Sequence, residues 1–127
     1  MRTTKEKLVE ELQFLCDTLQ GSTPKEPELI LEDLRFSTGY LARTAELVAD
    51  AEYYLNVRRG EVAHENSELT ATILREVSAK DCATEQRIYR LAERINATLT
   101  HRIDSLRSQL SYEKMLAGVE RQTGDPR

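Results

Sequence analysis

Residues Ile88–Val119, IYRLAERINATLTHRIDSLRSQLSYEKMLAGV, decide the fold class. Apolar side chains recur at Ile88, Leu91, Ala92, Ile95, Leu99, Ile103, Leu106, Leu110 and Ala117, mostly in steps of three and four. That spacing lines one face of a long α-helix and leaves the opposite face polar. Such a face must be covered by other helices. The rest of the chain supplies partners of the same kind and no strand pattern.

The N-terminal part reads as a first helix over about 4–20. Thr3 and Glu6 form a capping box, in which the Thr3 hydroxyl accepts from an early backbone N–H and Glu6 reaches back. Leu8, Leu12, Leu15 and Leu19 then repeat at helical spacing, with Val9 and Cys16 beside them, until Gln20 and Gly21 end the pattern. Pro24 and Pro27 mark a linker, Pro27 being suited to the first turn of the next helix. A second helix is predicted over about 28–58. Ser37, Thr38 and Gly39, three weak helix formers in a row, predict a kink or short break. Leu34, Leu41, Val48 and Leu55 recur every seventh residue, which favours coiled-coil-like packing. Arg58–Ser67 reads as a second linker, with Gly60 as a C-cap and Asn66 or Ser67 as the next N-cap. No Pro or Gly then occurs before Gly118, so one helix over about 67–118 is expected, bent or broken near Ser78–Asp81. Residues 121–127 read as a disordered tail. The expected architecture is all-α, an extended bundle of three long helices, or four if the last one breaks.

At 127 residues the chain is the size of one domain, 1–120 with its tail. Its core is lean: 39% of residues are hydrophobic, with no Trp and two Phe, against roughly 45–50% apolar on average. Long narrow seams over a lean core predict self-association, a dimer first. Leu34, Leu41, Val48 and Leu55 are then expected to meet Ile95, Leu99, Ile103, Leu106 and Leu110, within or between chains. The net charge of −4 excludes a global basic field, and residues 61–127 come close to balance with 10 basic and 11 acidic side chains. Any anion-binding surface must therefore be a local patch. Cys16 and Cys82 lie far apart with no metal-ligand neighbours, as suits small packing positions in a reducing compartment. Apolar runs of three or four residues span no membrane, and no apolar stretch of signal-peptide type follows Met1. A cytoplasmic setting follows as the expectation.

Catalytic signatures are missing: no Ser/His/Asp set, no Gly-rich phosphate loop, no base beside either Cys. No enzyme and no cofactor are expected. Glu61 and His64 match one Glu-x-x-His half-site of a di-iron carboxylate bundle. The other histidine, His101, has no acid three residues before it, so no metal site is expected and a solvated linker is the simpler reading. The arginines are more informative. Arg87, Arg90, Arg94 and His101 form one helical stripe with Arg102 beside it, and Arg107, Lys114 and Arg121 form a second row. Tyr89 and Tyr112 are interleaved, and Tyr53–Tyr54 precede Arg58–Arg59. Arginine forks contact phosphates and aromatic faces stack bases, so Arg87, Arg90, Arg94, Tyr89, Arg102 and Tyr112 are candidate anion- or nucleotide-binding residues. Against this, Glu85, Glu93, Asp104 and Glu113 are close enough in sequence to pair with these arginines along the helix.

Arg102–Lys114 (RIDSLRSQLSYEK) resembles the C-terminal helix of small helical proteins encoded by tailed phages and prophages. Ala45–Tyr54 (AELVADAEYY) is similar to their Ala/Glu/Tyr-rich middle helix. The resemblance spans residues 40–117. No activity is established for those proteins, so it implies a setting, the cytoplasm of a host bacterium, rather than a residue role. Three readings follow. In the first, a non-enzymatic phage-type interaction protein covers a host or phage protein surface, for example to inhibit a bacterial defence system, with acids such as Glu46 and Asp50 facing the partner's basic groove. In the second, the Arg/Tyr face binds nucleic acid or a nucleotide, as a recombination accessory or a signalling-nucleotide sponge. The third is a structural oligomer. A net charge of −4 and the acids near the arginines rank the protein partner first.

Overall fold

The computed structural model describes residues 1–21 and 23–124, with side chains through Val119. It is 86% helical, with no strand among the described residues. The described residues form four helices in order: α1 Lys5–Thr18, α2 Pro27–Glu65, α3 Ala71–Asp81 and α4 Ala83–Gly124.

The caps differ from the expected ones in informative ways. Thr4, not Thr3, caps α1, its hydroxyl accepting from the Lys7 N–H at 3.4 Å. Thr3 instead bonds across the fold: its N–H donates to Asp50 at 3.1 Å, its hydroxyl accepts from Arg43 at 2.9 Å and its carbonyl accepts from the Tyr54 hydroxyl at 2.6 Å. Pro27 opens α2 as expected. No break occurs at Ser37–Gly39. The Ser37 hydroxyl bonds Asp33 at 3.0 Å and the Thr38 hydroxyl donates to the Leu34 carbonyl at 2.7 Å, so both hydroxyls are satisfied inside the helix. Nor does α2 stop near Arg58. It runs through Gly60 to Glu65, because Val62 beyond the glycine is fully buried against Leu55 and Cys82. That burial outweighs the roughly 1 kcal/mol by which Gly disfavours a helix interior. Asn66 then closes α2, its side-chain amide donating to the Val62 carbonyl at 2.8 Å.

Thr70, rather than Asn66 or Ser67, caps the next helix, accepting from the Ile73 N–H at 3.4 Å. The single helix expected over 67–118 is two. The chain breaks at Cys82, whose side chain is buried while its backbone N–H turns back to the Ser78 and Lys80 carbonyls. Residues 121–124, expected as part of a disordered tail, continue α4, and 125–127 lie outside the described residues.

Helices α2 and α4 pair antiparallel, as the bonds Asp33–Arg102, Thr44–Asn96 and Arg59–Gln86 require. Helix α1 lies across both, antiparallel to α2 and parallel to α4, with Leu8, Leu12 and Leu15 packed among Leu47, Ala51, Ala92, Ile95 and Leu99. On α4 the buried row is Ala92, Ile95, Leu99, Ile103 and Leu106, drawn from the periodic set. On α2 the seam sits one step away from the leucines. Leu34, Leu41 and Val48 are half-buried on its flank, and only Leu55 of that row is buried. The central row is Ile30, Ser37, Thr44 and Ala51, again every seventh residue, with Leu47 beside it. Small Ser, Thr and Ala let the two backbones approach. The hydroxyls are satisfied: Thr44 donates to the Leu41 carbonyl at 2.9 Å and accepts from Asn96 at 2.7 Å.

Leu106 is 0% exposed. Leu106→Ala should destabilise the protein by about 2–5 kcal/mol in urea unfolding. Thr44→Val, which fits the space but strands the Asn96 amide, should cost about 1–3 kcal/mol. A Leu106→Asp protein unfolding at the parental urea midpoint would contradict the assigned core.

Candidate anion-binding groove

Three helices meet around the Cys82 break and leave a groove of about 960 Å³ between them. From α4 it takes Arg87, Arg90 and Arg94, one stripe at steps of three and four. From α2 it takes Arg59, and from α3 Arg75 and Ser78. Among the described residues, no carboxylate lines it. Five guanidinium groups therefore border one hollow in a chain whose net charge is −4.

The acids expected to pair with these arginines face elsewhere. Glu85 points inward, 6% exposed, with Lys5 Nζ at 3.6 Å and Arg58 Nε at 3.9 Å. Glu93 lies on the Tyr89 side of α4: burial first, and then the Glu93 charge, pushes the Tyr89 phenol above its ordinary pKa. Among the described residues, Arg75, Arg87, Arg90 and Arg94 make no ion pair and no hydrogen bond, and Arg59 bonds only the neutral Gln86 amide at 2.9 Å. Unpaired guanidinium forks sharing a solvated hollow repel one another and gain from a multiply charged anion, above all phosphate, which each can hold with two parallel N–H bonds.

The other sequence candidates divide cleanly. Arg102 is structural. It clamps the Asp33 carboxylate from Nε at 3.0 Å and from its terminal nitrogen, both side chains being 15% exposed. Tyr89 is half-buried against Leu55, Val62 and Cys82 and does not line the groove. Tyr112 is 55% exposed, but lies about 27 Å along α4 from Arg94 at 1.5 Å per residue. The interleaved arginine–tyrosine face is therefore an arginine groove without tyrosine. His101, Arg107 and Lys114 are exposed outside it, and the Arg121 side chain lies beyond the described ones. Of the Tyr53–Arg59 cluster only Arg59 reaches it. Arg58 pairs with Glu61 at 3.1 Å, and Tyr53 carries Arg2 over its ring at 3.3 Å.

The acids expected to face a partner are engaged within the chain. Glu46 pairs with Arg43 at 2.6 Å, and Asp50 accepts from Thr3. Hydrogen bonding to Glu11, then to Glu46, raises the Arg43 pKa and fixes its charge. His64 is exposed on α2, and among the described residues no group of three or more His, Cys, Asp or Glu is placed to hold a metal ion. No helix among them is long and apolar enough to cross a membrane. Sequence reasoning missed Arg75, which stands on α3 in the same three- and four-residue register, 75, 78, 82, 86, 90 and 94, that the groove lining keeps across Cys82. No family model matches the sequence, and neither a curated protein nor a solved structure matches it.

The division into structural and free arginines is measurable. The hydrogen bond from Arg102 holds the Asp33 carboxyl below its ordinary pKa. The folded state thus takes up that proton less readily than the unfolded one. The pair's contribution is complete above the ordinary aspartate value of about 3.9 and is lost as pH falls through the lowered one. Asp33→Asn or Arg102→Ala should cost about 1–3 kcal/mol at pH 7 in urea unfolding, and the Asp33→Asn difference should vanish in strong acid. Arg90→Ala should change stability by less than about 0.5 kcal/mol.

Proposed function

We propose that this protein is a non-enzymatic binding protein that takes a phosphate-bearing ligand of the nucleic-acid or nucleotide class in the arginine groove. The observation that carries the reading is the set of five arginines around one hollow with no carboxylate of the described residues in its lining. A volume of about 960 Å³ falls within the roughly 300–1,000 Å³ of small-molecule sites. The sequence alone ranks a protein partner first because acids lie near the arginines along the helix. With those acids turned away, that objection loses its force, and a local basic patch on an acidic chain is what remains. We take the setting to be the cytoplasm of a phage-infected or prophage-carrying bacterium, on the resemblance over residues 40–117 alone.

A second reading, contact with a host or phage protein or with another copy of the chain, has one observation in its favour. Helix α4 continues past Gln109, whose side chain bonds the Pro24 carbonyl at 2.8 Å, and exposes Tyr112, Met115 and Leu116 at one-turn spacing. An inhibitor of a defence protein, or a dimer with coiled-coil-like packing, would use that row. The two readings involve separate surfaces.

Titration with tripolyphosphate, nucleoside triphosphates and labelled single-stranded oligonucleotides at moderate salt separates them. Micromolar or tighter binding is expected for at least one of these. Log K should fall against log salt with a slope of about −2 to −3, as three or four phosphate contacts require. Arg87→Ala combined with Arg94→Ala should weaken binding at least about tenfold, whereas Met115→Asp should leave it unchanged. If no phosphate ligand binds and Met115→Asp abolishes a concentration-dependent dimer in light scattering, the second reading replaces the first.

A further inference from the structure

Beside the arginine groove lies a smaller cleft of about 290 Å³ between α2 and α3, lined by Arg59, Ala63, Ala71, Leu74, Arg75 and Ser78. It shares Arg59, Arg75 and Ser78 with the groove, so the two hollows adjoin at those three side chains. Its own walls are two alanine methyls and a leucine. The pair thus has a polycationic part and, adjoining it, a small apolar part edged by two guanidinium groups and one hydroxyl. Resting on the phosphate-binding reading above, we propose that the ligand is a nucleotide, its phosphates held by Arg87, Arg90 and Arg94 and its base seated between α2 and α3 against Ala63, Ala71 and Leu74.

The chemistry of each part argues for this ligand class. A bare polyphosphate would fill the groove and leave the apolar cleft to water. A nucleoside phosphate carries a flat, weakly polar body joined to several negative charges, which matches the order of the two hollows. Guanidinium planes stack on base faces as readily as they fork to phosphate, so Arg59 and Arg75, at the boundary, can serve either part. The Ser78 hydroxyl can donate to or accept from a base edge or a ribose. A nucleic-acid strand fits less well. Strand binders need a row of aromatic platforms for successive bases, and among the described residues no aromatic side chain lines either hollow. The net charge of −4 also opposes a long polyphosphate beyond the groove.

Helix α3 is suited to receive a base because little holds it down. None of its residues is buried, and it brings Arg75 towards four other arginines. A ligand that neutralises those charges and fills the α2–α3 cleft would stabilise the docked position of α3.

The test compares ATP, CTP, tripolyphosphate and a single-stranded oligothymidylate on the intact protein by calorimetry in magnesium-free buffer. At least one nucleotide should bind about tenfold or more tightly than tripolyphosphate. Ala71→Leu and, separately, Ala63→Leu, both at exposed helix positions, fill the cleft. Each should reduce nucleotide affinity to that of tripolyphosphate and leave tripolyphosphate binding unchanged, with circular dichroism showing helix content retained. Photo-crosslinking with 8-azido-ATP should label residues 59–78, a readout that needs no substitution. If tripolyphosphate binds, nucleotides bind no better and neither leucine variant matters, the base cleft is refuted and the phosphate groove stands. If the oligonucleotide binds more tightly than every nucleotide, the ligand is a strand and the inference is overturned. If none of the four binds, the phosphate-binding reading fails with it.

Discussion

Helices α2 and α4 can pair closely only because the middle of their seam is made of small side chains whose polar atoms are satisfied in place. Thr44 is fully buried between the two helices, yet its hydroxyl both donates to its own helix and accepts from Asn96 across the seam. Ser37, one heptad earlier, is closed off by Asp33, which is itself held by Arg102 from α4. Without those bonds each hydroxyl would be a buried polar group without a partner, a penalty of about 1–3 kcal/mol apiece in a chain with little core to spare. With them, Leu47 and Ala51 come within packing distance of the α4 row, and α1 has a surface on which to lay Leu8, Leu12 and Leu15.

The same pairing sorts the charges. Acids that face the seam or its margin are taken up by cations from neighbouring elements: Asp33 by Arg102, Glu11 by Arg43, Glu85 by Lys5 and Arg58. Each of these pairs ties two segments together. The arginines on the groove side of α4 are thereby left without acids, and Arg75 of α3 joins them in the same helical register across Cys82. The groove is thus a by-product of where the acids are needed. A chain with more acidic than basic residues presents a strongly basic hollow because, among the described residues, none of its carboxylates lines that hollow.

Much of this was legible in the sequence. The α4 row could be read because its buried positions are Ile, Leu and Ala, and α1 because four leucines repeat at helical spacing. The seam of α2 could not be located correctly, although its heptad was visible. Ser37 and Thr44 do not register as core residues, so the eye follows Leu34, Leu41 and Val48, which lie on the flank. Gly60 and Ser37–Gly39 read as interruptions by local propensity, which carries no information on the burial of Val62 or the bonds of Ser37. The groove was half legible: Arg87, Arg90 and Arg94 share a stripe by spacing alone. Which arginines are free is a tertiary fact. Arg102 differs from Arg94 only in that Asp33 stands opposite it, and nothing in the α4 sequence records that.

The central claim is that Arg59, Arg75, Arg87, Arg90 and Arg94 act together on a phosphate ligand while Arg43, Arg58 and Arg102 hold the fold. The most direct measurement is a nitrogen–proton NMR titration of the arginine Nε–Hε resonances with tripolyphosphate. The account predicts saturable shifts at the five groove arginines with a common dissociation constant, and none at Arg43, Arg58 or Arg102. Small non-saturating shifts spread evenly over all the arginines, or a saturable response led by Arg102, would contradict it.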